Sequence, residues 1–333
     1  MKAMMSRNRA QVFSVRCSVW SQSLFWKVLM LVLAVFLTAC GGPRAGSRPE
    51  VRKDAYYHRM ITSGHGAFER GDIARAAELY ENALIRAQLM DRPEKIGASA
   101  YNLALSRIAL GALDEGRGLL QEARAELLRA GESGVDTLIA EAEVTRRLGD
   151  TEAALQLTDE AVAALEGVRA RAMRVQLHAL RALLALDRDD AETAVEELAL
   201  AERPVRRATP LRLRARLAEV QGRLYLQEGE ARLAAQEFDL ETMYYRNDGR
   251  FPDMARAMAR AAAAYHEAGD SAMAARRYYR AARHHAAAEQ PVDALRLVEQ
   301  ALPALEAADD PDLAARVTAL FEELTKTVKN KRE

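Results

Sequence analysis

The 333-residue chain balances 48 Lys and Arg against 48 Asp and Glu, which argues against nucleic acid as a partner, since phosphate binding rests on concentrated positive charge. Half of its residues are hydrophobic and 6% are aromatic. Ala, Leu, Arg and Glu, all good helix formers, dominate, and no alternating β-branched run bounded by turn residues marks a strand.

Met1 to Lys27 carries Lys2, Arg7, Arg9, Arg16 and Lys27 and no acid. The ten residues that follow, Val28 to Leu37, are all apolar. A helix needs roughly 20 such residues to cross a bilayer, so the run reads as the hydrophobic region of a secretory signal and not as a permanent span. Leu37-Thr38-Ala39-Cys40 closes the segment. These residues resemble the lipobox of bacterial lipoproteins, in which a branched apolar residue and two small ones precede a cysteine. The resemblance implies a signal peptide over residues 1–39 that is cleaved, and Cys40 as the site of lipid attachment, including an amide-linked acyl group such as palmitate. It makes the lipid bilayer a partner through acylated Cys40; three acyl chains at about 0.8 kcal/mol per buried methylene amount to permanent anchorage. In Gram-negative members of that family an Asp after the cysteine tends to hold the protein at the inner membrane. Gly41 stands there, which implies an outer-membrane lipid anchor facing the periplasm, with a lipid anchor in another cell membrane as the alternative.

Cleavage would also remove Trp20, Trp26, Cys17 and five basic residues. The 294 residues left carry 43 basic against 48 acidic groups and no free thiol, so their stability must come from packing. Residues 40–50, with three Gly and two Pro, read as a flexible linker after the lipidated cysteine, reaching at most roughly 35 Å.

From residue 51 to 328 one unit recurs. Its clearest copy has Gly71-Asp72, a turn in which the glycine closes one helix and the aspartate caps the next. Ala76 and Ala83 follow, seven apart on one helix face, with Tyr80 between them. The turn returns at Gly111, Gly149-Asp150, Gly229-Glu230 and Gly269-Asp270, with Asp189-Asp190 once in place of the glycine, in steps of 38 or 40 residues. Small pairs recur at Gly116 and Ala123, Ala154 and Ala161, Ala194 and Ala201, Ala274 and Ala281; the fifth copy has Glu241 where a small residue is expected. A final hairpin over 291–307 and 311–328 shifts the register by half a unit, and residues 329–333 form a charged tail. The pattern resembles the tetratricopeptide repeat, which implies an all-α solenoid, here of about six to seven helical hairpins with a period near 40 against that family's 34. The longer period means that the family's curvature cannot be carried over.

The sequence holds no HExxH, GxSxG or phosphate-cradling glycine loop, so no enzyme, cofactor or metal is expected. In such superhelices the first helix of each unit lines the groove. Arg216, Arg223, Arg256 and Arg260, with Tyr225 and His266 close by, suit an acidic or carboxylate-ended peptide, or they solvate alanine-rich helices. Tyr101, Leu105 and Ile108 form an apolar row that reads equally as hairpin packing or as a partner site. Some family members clamp a chaperone's terminal carboxylate; Asn102 matches the central asparagine, but Ile61, His65, Asp136 and Ala140 stand at the other positions and the clamp is absent. The expected function is a membrane-anchored scaffold or adaptor for envelope proteins or peptide segments, in envelope assembly, pilus or secretion assembly, or control of peptidoglycan hydrolases. The alternatives are a structural spacer without a dedicated partner and, less favoured, an enzyme acting on cell-wall glycan.

Overall fold

The computed structural model describes residues 54–288 and 290–330. Among the described residues every regular element is a helix, and the fourteen helices pair as seven hairpins. In chain order these are α1 (Ala55–Glu69) with α2 (Ile73–Leu89), α3 (Pro93–Ala109) with α4 (Leu113–Arg129), α5 (Val135–Arg147) with α6 (Thr151–Ala164), and α7 (Arg171–Leu186) with α8 (Ala191–Glu202). Then come α9 (Leu211–Gln227) with α10 (Ala231–Asn247), α11 (Phe251–Glu267) with α12 (Ser271–Ala287), and α13 (Pro291–Ala308) with α14 (Pro311–Asn330). The last helix runs two residues into the expected charged tail. The signal, Cys40 and the linker over 40–50 lie outside the described residues.

The turns inside the hairpins are built as their residues dictate. Gly71, Gly149, Gly229 and Gly269 all have φ between 75 and 90°, a region costly for side chains with a Cβ. Asp189 takes φ 58° where the glycine is missing, a conformation that Asp tolerates better than most residues. Behind them, Asp72, Asp150, Asp190 and Asp270 accept hydrogen bonds from the amides of Arg75, Ala153, Thr193 and Met273 at 3.0–3.2 Å, satisfying donors that each helix start would otherwise leave open.

The recurring small residues are buried without exception: Ala76, Ala83, Ala123, Ala154, Ala161, Ala194, Ala201, Ala274 and Ala281 are all 0% exposed. They let helices approach closely, and the bulky residue between each pair fills the space. A Cβ on Gly64 would lie 2.6 Å from the Tyr80 ring, and one on Gly222 would lie 2.6 Å from Phe238. The core is a chain of overlapping clusters, each bridging neighbouring hairpins. That is the arrangement expected where every unit packs on its neighbours alone.

Alternating helix direction gives the array two rims. The turns within hairpins form one, tied from unit to unit by Gln227 to Asp189, Arg232 to Asp270 and Arg276 to Asp310. The loops between hairpins form the other, where Arg129 reaches Asp91 at 3.1 Å and Arg174 donates to the Leu165 and Val168 carbonyls. Helix α1 starts on this second rim.

Candidate partner-binding groove

The arginines singled out in the sequence do come together, along a seam shared by the first helices of hairpins 3 to 6. Arg216 on α9 reaches Glu143 on α5 at 3.1 Å, past the intervening α7, so the face made by the first helices is concave at this level. Its second amino group meets Glu219, also at 3.1 Å. Arg260 on α11 pairs with Glu241 on α10 through both its Nε and its Nη2, and lies 4.0 Å from Glu219. Nearer the turn rim, Asp187 accepts from Arg146 at 2.9 Å and from Arg223 at 2.7 Å. Arg256 pairs with Asp253, which also takes Arg250 at 2.6 Å.

All four expected groove arginines are therefore ion-paired within the chain. The charges of Arg216 and Arg260 balance carboxylates of the same fold. Tyr225 packs against the core of the last three hairpins, while His266 is exposed at the end of α11. Sequence reasoning missed the partner acids Glu143, Asp187 and Glu219. Glu241 was visible as an anomaly at a small-residue position, and the structure explains it: fully buried, it takes the ionic partner that Arg260 provides.

Two carboxylates share Arg260, and their environments drive them apart. Burial, then the neighbouring Glu219 charge, pushes Glu241 up to about 7 despite Arg260. Burial acts on Glu219 too, but the fields of Arg216, Arg260, Arg146 and Arg223 together bring it down to about 2. The raised Glu241 contributes stability that is full below its ordinary pKa and is lost as pH rises through about 7. The depressed Glu219 contributes stability present above its ordinary pKa and lost as pH falls towards 2. The seam is therefore most stable on the mildly acid side of neutral. Urea unfolding should show a higher midpoint at pH 5 than at pH 8, and Glu241→Gln should remove most of that difference, at most about 3 kcal/mol. A pH dependence unchanged by Glu241→Gln would refute the assignment.

The apolar row resolves into two roles. Tyr101, Leu105 and Ile108 all pack against the cluster of Ala104, Leu120, Ala140 and Val144. Burial, then the Asp136 carboxylate, pushes the Tyr101 phenol up to about 12. Leu105 also lines a cleft between α1 and α3, a cavity of about 170 Å³ bounded by His65, Phe68, Glu69, Tyr80 and Asn102. The His65 ring stands edge-on to Tyr80 at 5.7 Å. Asn102 spends its amide on the Ala98 carbonyl at 2.9 Å, which leaves its carbonyl oxygen to accept from a visitor. The cleft is smaller than the roughly 300–1,000 Å³ of small-molecule sites, so it suits a side chain or two of a docked segment.

These features define an α-solenoid of tetratricopeptide type. Comparison with known proteins agrees on the fold: the chain is similar to a signal-transduction ATPase with numerous domains from Pyrococcus horikoshii that carries a tetratricopeptide repeat sensor, at 12% identity and a TM-score of 0.55. The match covers 83% of this chain and 42% of that one, so the solenoid spans less than half the length of the larger protein. It is also similar to a Rap protein solved in complex with competence and sporulation factor, at 13% identity and a TM-score of 0.52, over 81% of this chain and 98% of that one. No family model matches the sequence, and no curated protein does.

Proposed function

We propose that the protein is a lipid-anchored adaptor, held through acylated Cys40 at the periplasmic face of a bacterial outer membrane, that docks an extended segment of another envelope protein. The observation that carries the anchoring is the order of basic segment, ten-residue apolar run and Leu37-Thr38-Ala39-Cys40. The docking rests on the cleft between α1 and α3, which Asn102, Phe68 and Leu105 line together. Such a surface takes one polar main-chain contact and one apolar side chain, the pattern by which extended peptides are read.

Two measurements test the two halves. Metabolic palmitate should label the wild type and not Cys40→Ala; label retained in the variant would remove the anchor from the proposal. For docking, a photo-crosslinking residue replacing Leu105 should trap a single envelope protein in intact cells, and one replacing Arg216 should not. Equal yields at the two positions, or none at Leu105, would overturn the assignment of the cleft.

A further inference from the structure

We infer that the rim formed by the loops between hairpins lies on the membrane, reading anionic lipid headgroups with arginines and inserting a few apolar side chains between them. The inference rests on the membrane tether proposed above.

The two rims differ in charge. The turn rim is acidic, with Asp72, Asp150, Asp187, Asp190, Asp270 and Asp310 at its helix starts and ends. On the other rim, the loop before α7 and the loop before α9 each open a long stretch without an acid. No acid occurs between residues 167 and 186, nor between residues 203 and 218. Arg169, Arg171, Arg203 and Arg207 are exposed there and make no ion pair among the described residues. The sequence-adjacent acids are Glu166 and Glu202. This contrasts with the seam, where every named arginine has a carboxylate.

Apolar exposure follows the same division. Leu89 (75%), Leu128 (58%), Val168 (47%), Phe251 (57%) and Val292 (64%) sit at helix ends or in loops of the basic rim. The acidic side exposes Leu110 at 49%, Val195 at 52% and Leu233 at 40%. Basic groups interleaved with single Leu, Val and Phe side chains are the composition of a surface that rests at a headgroup layer.

The test uses the full chain in a Cys17→Ser background, inserted through its own amino-terminal segment into vesicles that carry a nitroxide lipid. A fluorophore is placed by Leu128→Cys on the basic rim or by Glu228→Cys on the acidic one, with Cys40 acylated or replaced by Ala. In vesicles of phosphatidylcholine and phosphatidylglycerol the Leu128 label should be quenched several-fold more than the Glu228 label. Pure phosphatidylcholine, or high salt, should shrink the contrast. The reversal Arg169→Glu with Arg171→Glu and Arg207→Glu should abolish it while helicity by circular dichroism stays unchanged, because all three side chains are exposed. Equal quenching of the two labels, or a contrast that survives the reversal, overturns the inference. So does an acidic protein domain that binds the same arginines when vesicles give no contrast. Since either an acyl chain or the apolar run can hold the chain to the vesicle, the contrast should persist without acylation, so the rim assignment stands or falls apart from the anchor, which palmitate labelling of Cys40 tests.

Discussion

Arg260→Ala is expected to destabilise the solenoid by about 3–5 kcal/mol at pH 8, the usual consequence of leaving a buried charge without its partner. Glu241 is 0% exposed and takes both of its contacts from this guanidinium. Without Arg260 it must either remain ionised in an apolar interface or bind a proton. Since burial already holds its pKa near 7, protonation is within easy reach in mild acid. The loss should therefore shrink at pH 5, where the carboxyl is neutral before the mutation is made. Pairing the change with a neutral partner, as Arg260→Met with Glu241→Leu, should recover most of the stability, because two buried charges and their desolvation disappear together. Urea unfolding at the two pH values measures all three effects. A loss under 1 kcal/mol at pH 8, or a double variant no better than Arg260→Ala, would show that the pair is solvated and energetically slight.

How the fold was legible, and where legibility stopped, follows from what each feature depends on. Turns such as Gly71-Asp72 depend on backbone conformation and one side-chain cap, both local, so their repetition was readable and the hairpins fell where expected. The small pairs were readable because helix packing imposes a seven-residue spacing. The pairing of Arg216 with Glu143 was not, because it joins hairpins 3 and 5 past the helix between them. Whether two such side chains meet is decided by curvature, and a period near 40 does not state a curvature. The same gap explains why the arginines read as open cations: the arginines stood out in the sequence while the acids that neutralise them were scattered over α5, α9 and α10. The basic loops before α7 and α9 went unread in the sequence, where nothing sets one acid-free stretch apart from another. They acquire meaning only once alternating helix direction places them on one rim with Val168 and Phe251.

Phe238→Ala should cost about 3–5 kcal/mol, the largest loss available from a single apolar truncation here. Phe238 is the largest fully buried side chain, 1% exposed, and it fills the gap where Gly222 lets α9 approach α10. Gly222→Ala attacks the same contact from the other side. Its Cβ would lie 2.6–2.9 Å from three atoms of the ring, closer than carbon atoms can settle. The ring has little room to retreat, with the Arg260 guanidinium 5.9 Å from its centroid. Alanine gains roughly 1 kcal/mol of helix propensity over glycine, but overpacking of a filled core costs typically about 1–3 kcal/mol, so steric strain should win and Gly222→Ala should destabilise. Combined with Phe238→Leu, the new methyl group has space to enter, and the double variant should lose less than the sum of the two single losses. Strict additivity would mean that the ring already has free volume beside Gly222. Because Phe238 belongs to the cluster that joins the last three hairpins, its loss should also loosen hairpin 5 against hairpins 6 and 7. A second, earlier transition should then appear in the unfolding curve, as expected for an array held together by contacts between neighbours.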